Sequence, residues 1–194
     1  MALAAATGTK TSSLDREKDI KSMLRYKLVA LVLLSLVAAC STEVTTDCRG
    51  ATLSRCDLRG ADFRDARLNG QNFNASDLRG ANFFRASLIR SSFVDAKLEG
   101  ANFNESNLSQ ADFTHANLSR ASLVRTNLVD AVFSGATMFR TNLSEANLTG
   151  ADFRGAQLHR SNLSKVVLRD VVFDNANLTG TVLEDTEVDP DRGK

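Results

Sequence analysis

Residues 71–110 read QNFNA SDLRG ANFFR ASLIR SSFVD AKLEG ANFNE SNLSQ. Split this way, every block of five has Leu or Phe at its centre, and nearly every block opens on a small residue. The same register runs outward without an insertion from Ala51 to Asp185, which makes 27 blocks. The central residue is Leu in 17 of them, Phe in 9 and Met138 in one, so no polar side chain ever occupies it. The first position is Ala in 16 blocks and the second is Asn or Asp in 15, which extends the pattern beyond hydrophobicity alone.

A period of five excludes the two ordinary elements. On an α-helix, five residues turn through about 500°, so the apolar positions would wander round the axis. A plain strand needs a period of two. Here the inward residues are the first and third of each block, two apart as on a strand, and the next lies three further on, which requires a corner. Each block is therefore a very short strand followed by a turn. Glycines at fifth positions, such as Gly60, Gly80 and Gly100, suit the corners. Asn and Asp at second positions can bond nearby backbone and hold the turns.

The coil length follows from a second period. Seven of the nine central Phe have another central Phe 20 residues later and none has one 15 residues later, so four blocks close one coil. Phe73, Phe93, Phe113, Phe133, Phe153 and Phe173 form one predicted stack, and Phe63, Phe83 and Phe103 another on the opposite face. Fifth positions give an independent check at the same spacing: Asp65, Arg85, Glu105, Arg125, Glu145, Lys165 and Asp185 alternate in sign. Coils of a β-solenoid stack at about 4.8 Å, so this series predicts an ion ladder along one edge.

These blocks resemble the pentapeptide-repeat family, whose motif is A-[DN]-L-x-x, over residues 51–185. The resemblance implies an all-β fold, a right-handed quadrilateral parallel β-helix of about 6.75 coils. With its flanks the solenoid is expected over 48–188, followed by a polar tail, 189–194, with Pro190 unable to donate to a ladder. Its open ends are expected to offer backbone through which two copies can join.

Ahead of the repeats, Met23 to Cys40 reads MLRYKLVALVLLSLVAAC. Arg25 and Lys27 precede an uncharged run of 12 residues, Leu28 to Ala39, which is too short to span a bilayer and has the form of an export signal. It resembles a bacterial lipoprotein signal: Val37-Ala38-Ala39-Cys40 fits the lipobox, with Cys40 the residue that would receive lipid. That resemblance implies a signal peptide over 23–39, cleavage before Cys40 and a tether over 40–47. Ser41 after the cysteine implies the outer membrane, facing the periplasm, in a cell that has one. A plain signal peptide and an uncleaved anchor are the alternatives. Residues 1–22 show no hydrophobic period and are expected to be a disordered extension preceding Met23, a natural start.

Of the three cysteines, lipidation of Cys40 leaves Cys48 and Cys56 in the first coil. In an oxidising compartment they could pair and pin that coil; two buried thiols are the alternative. His115 and His159 are 44 residues apart at outward positions of different faces, and no nucleophile, metal or phosphate-loop constellation is present. The reading is therefore no enzyme and no cofactor. Two surface features stand out. Arg120, Arg140 and Arg160 recur at the coil spacing, where like charges repel; they could meet an anionic partner, or be relieved by Glu99 and Glu145. Phe84, Ile89 and Val94 on one coil, with Val124, Val129 and Phe139 one to two coils on, place apolar side chains outward as a possible contact patch.

The whole chain carries 24 Lys+Arg and 23 Asp+Glu, and residues 40–194 carry 18 against 20. Neither balance suits a nucleic-acid binder. The expected function is a lipid-anchored, non-enzymatic scaffold of the cell envelope that binds a protein or envelope component. The alternative comes from the family: a cytoplasmic DNA mimic that binds gyrase or another topoisomerase, for which a net of −2 is a poor likeness of a duplex.

Overall fold

A computed structural model describes residues 53–188. The chain divides into two units, Met1–Glu43 and Val44–Lys194, and all described residues belong to the second. The expected segments 1–22, 23–39, 40–47 and 189–194 lie outside them.

Each second-position residue from Asp57 to Val167 pairs in parallel with the residue 20 further on, as in Asp62 with Asn82, Asn82 with Asn102 and Asn102 with Ser122. This is the four-block coil of a right-handed quadrilateral β-helix. The ladder is regular at the level of single atoms. Asn82 N donates to Ala61 O of the preceding coil at 2.9 Å, while Phe83 N donates to Asn102 O of the following one at 2.6 Å. Only at the C-terminal end does pairing lengthen into two-residue strands, β1 (Val167–Leu168) with β2 (Glu187–Val188).

The corners are β-turns closed from the first residue of one block to the centre of the block before, as in Ala61 N to Leu58 O at 3.1 Å. Every fifth-position residue from Arg55 to Asp185 has φ between 53° and 72°, the sign that a type II turn requires at its third residue. Glycine fills 8 of these positions and an L-residue the other 19, so the corner imposes the left-handed conformation whatever side chain the sequence supplies. The expectation from Gly60, Gly80 and Gly100 was right in kind but too narrow.

For reference, face 1 is centred on Phe73, Phe93 and Phe113, face 2 on Leu78, Leu98 and Leu118, face 3 on Phe83 and Phe103, and face 4 on Leu88 and Leu108. Central side chains of all four faces fill the interior and are fully buried over most of the length. On face 1, rings stack with centroids 4.8 Å apart for Phe73–Phe93, 4.9 Å for Phe93–Phe113 and 5.0 Å for Phe113–Phe133. Phe63, Phe83 and Phe103 stack likewise from the opposite side. The two columns meet edge to face, Phe73 to Phe83 at 5.8 Å and 85°. The last coil is less covered: Phe173 is half-buried, and Leu183 is 44% exposed.

Inward polar residues are satisfied by the same geometry. Ser91 Oγ donates to Leu68 O at 2.9 Å, and Thr141 Oγ1 to Leu118 O at 2.8 Å, each a carbonyl of the coil before. Ser106 Oγ alone among these buried hydroxyls lacks a partner.

Candidate functional site

The edge following face 2 carries the most unusual surface. Its fifth-position column reads Gly60, Gly80, Gly100, Arg120, Arg140, Arg160, Gly180. The three arginines are exposed and adopt φ of 60°, 56° and 60°. None forms an ion pair among the described residues. The neighbours expected to relieve them are engaged elsewhere: Glu145 lies 3.6 Å from Arg125, and Glu99 Oε1 accepts from Asn117 Nδ2 at 2.7 Å. Beside the column, Arg140 lies over the Phe139 ring at 5.0 Å, and that ring lies 4.7 Å from the His159 ring. His159 Nδ1 is buried without a partner. An open depression of about 430 Å³ follows, lined by Phe139, His159, Arg160, Asn177 and Thr179.

The six residues of the expected apolar patch are spread over four faces. Phe84 and Val124 belong to face 3, Ile89 and Val129 to face 4, Val94 to face 1 and Phe139 to face 2. All six are half-buried. The exposed large apolar residues among the described ones are instead Val182 and Leu183 in the last coil.

The ion ladder forms in part. Asp65–Arg85 closes at 3.5 Å, and Arg125 bridges Glu105 and Glu145 at 3.6 Å each. Among the described residues no pair within 4 Å is found for Lys165 or Asp185, so the alternation in sequence exceeds the contacts found there. Cys56 is buried and disulfide-bonded. Cys40 and Cys48 lie outside the described residues. His115 sits 3.8 Å from Asp95 on a separate face. Among the described residues, no cluster of His, Cys, Asp or Glu is arranged to hold a metal, and no helix is long and apolar enough to cross a membrane.

Two sets of residues escaped the sequence reading. Second-position Asp and fourth-position Arg form two-pronged pairs in four blocks: Asp57–Arg59, Asp62–Arg64, Asp77–Arg79 and Asp152–Arg154, with contacts of 2.5–2.7 Å. The hydrogen bonds from arginine hold all four carboxyls below their ordinary pKa, against the opposing effect of burial. The signal was present as the recurring D-[LF]-R. Also missed were Asn69, Asn74 and Asn104, each of which bonds upward to the coil above.

Comparison with known proteins gives a consistent picture. Models described as pentapeptide repeat region match residues 86–163 and 106–183, and models described as pentapeptide repeats (8 copies) match 46–80 and 61–100. Among solved structures, HetL of the cyanobacterium Nostoc sp. strain PCC 7120 is described as a pentapeptide repeat protein involved in heterocyst differentiation regulation. It is 31% identical, with 69% of this chain and 73% of that chain covered and a TM-score of 0.47. A pentapeptide repeat protein of the Arabidopsis thaliana thylakoid lumen is 43% identical over 52% of this chain and 67% of its own, with a TM-score of 0.40. QnrB1, described as a plasmid-mediated fluoroquinolone resistance protein, is 24% identical over 66% and 80%, with a TM-score of 0.30. No match to a curated protein was found.

Proposed function

We propose a scaffold function outside the cytoplasm for this chain, which belongs to the pentapeptide repeat family. Members of that family are generally non-catalytic scaffolds. In this reading the chain is exported, carries lipid on Cys40 and offers its flat faces to a protein or another envelope component.

One observation carries the scaffold reading: the repeat uses most of its polar side chains to hold itself together. Asn72, Asp112 and Asn162 each accept the backbone N–H two residues on, at 2.9 Å. Inward Ser and Thr bond to carbonyls, and four Asp are paired with Arg. What remains outward is a set of flat faces whose composition changes from corner to corner. Support for the anchor comes from Val37-Ala38-Ala39-Cys40. Pairing of Cys56 with Cys48 belongs to the same proposal, since lipid on Cys40 leaves Cys48 as the other cysteine. Joining of two copies through the C-terminal end is supported by the exposure of Val182 and Leu183.

The DNA-mimic alternative needs a continuous acidic track. Here four of the five Asp at second positions are paired with Arg two residues on, and the fifth-position ladder alternates in sign.

The anchor is tested by Cys40→Ser and fractionation of the host. Loss of the protein from the membrane fraction is expected. Unchanged membrane association of the variant would overturn lipidation at Cys40.

A further inference from the structure

Four successive blocks of face 2, ANLSR (116–120), ATMFR (136–140), AQLHR (156–160) and ANLTG (176–180), hold three arginines, one histidine and no carboxylate. The described residues together hold 15 Lys+Arg and 16 Asp+Glu, so this strip carries positive charge that the rest of the surface does not. The second positions across the corner, Ser122, Asn142 and Asn162, are neutral as well.

The solenoid itself gains nothing from this arrangement. Elsewhere in the described part of the column the residue is glycine, which suits the left-handed corner, whereas a side chain there costs about 1 kcal/mol. Stacking like charges one coil apart adds repulsion. The hydrogen bond from Arg140 N to His159 O is long, at 3.4 Å. Stacking on Phe139 fixes the direction of the Arg140 guanidinium before any ligand arrives.

We infer that this edge is a binding site for a phosphoryl group, held between Arg140 and Arg160 at the mouth of the depression bounded by His159, Asn177 and Thr179. A carboxylate is planar and matches the fork of one two-pronged arginine. A tetrahedral dianion accepts from several directions and can engage guanidiniums from successive coils together with a hydroxyl at the rim. No carboxylate lines the depression to oppose it. Arg120 extends the positive column by one more coil, enough for a second anionic group on the same ligand. The inference does not depend on where the chain is displayed.

The test uses pyrophosphate as probe, with calorimetric titration into the Cys40→Ser full-length chain at low ionic strength. The triple variant R120G/R140G/R160G is expected to keep or raise its melting temperature, because glycine already occupies this column. Its pyrophosphate affinity is expected to fall at least about tenfold. The variant R85G/R90G/R125G removes the same charge from other edges and is expected to change affinity less than about twofold. Absence of binding by the parent, equal weakening in both variants, or binding of acetate as tight as that of pyrophosphate would each overturn the assignment. Sedimentation with vesicles of phosphatidic acid, compared with phosphatidylcholine, identifies the source. Retention on phosphatidic acid that pyrophosphate displaces supports a lipid headgroup, and pyrophosphate binding without retention supports a soluble phosphate ester.

Discussion

Asn74 serves a residue 20 positions away: its Oδ1 accepts from the Val94 N–H at 3.0 Å and from the Ser92 hydroxyl at 2.6 Å. In most blocks the fourth-position N–H is satisfied by the Asn or Asp two residues before it. Ser92 is too short to do this, so the coil below supplies the acceptor. Asn69 does the same for Ser87 and Ile89, and Asn104 for Ser122 and Val124. Asn74→Ala is expected to cost about 1–3 kcal/mol, because it leaves a partly buried donor unpaired. Adding Ser92→Asn restores a local acceptor and should recover much of the loss. Equal melting of the single and double variants would refute this exchange of partners.

The phenylalanine columns are expected to be graded in importance. Phe113 lies between Phe93 and Phe133 and is fully buried, so Phe113→Ala should cost about 3–5 kcal/mol. Phe173 is half-buried in the last coil and should cost clearly less on the same substitution. Phe113→Asp should abolish folding, since a charge would be buried without a partner. Denaturant titrations of the three variants, followed by circular dichroism, check the order.

Glu105→Arg tests the ladder. Arg125 lies 3.6 Å from both Glu105 and Glu145, so reversing Glu105 puts positive charges at 85, 105 and 125 in succession. All are exposed, and a loss of no more than about 1 kcal/mol is expected, shrinking as salt is added. Thermal melts at low and high ionic strength measure it.

Acid should weaken the fold through the Asp–Arg pairs. Hydrogen bonds from the neighbouring arginines hold the carboxyls of Asp57, Asp62, Asp77 and Asp152 below the ordinary aspartate value in the folded chain. A lowered folded pKa contributes stability above the unfolded value of about 3.9, and that contribution is lost as pH falls through the folded pKa. Stability should therefore be level between about pH 5 and 7 as far as these groups are concerned, and should decline below about pH 4. The groups are partly solvated, so each pair is worth no more than about 1 kcal/mol. Asp77→Asn keeps a side-chain acceptor for the Arg79 N–H and should soften the acid decline, which a pH series of melting curves reads.

Much of this was legible because a lag of 20 converts sequence into space. The Phe columns, the sign alternation from Asp65 to Asp185 and the four-block coil all follow from it. Left-handed backbone at Arg55, Arg85 and Arg125 was not legible, since no local preference of arginine points to it and the corner overrides propensity. Phe84, Ile89 and Val94 share a coil but stand on three different faces. The site beside Phe139 and His159 joins residues that had been read separately, one as part of a patch and the other as an isolated histidine. They are fourth-position residues 20 apart, so the same lag stacks them, and their rings meet at 4.7 Å.

The most direct test of the scaffold at the envelope is the intact mass of the protein purified from membrane and soluble fractions of its own host. The account predicts a membrane form that begins at Cys40 and carries lipid. A soluble form that retains residues 1–39 would contradict it and return the topoisomerase alternative to first place.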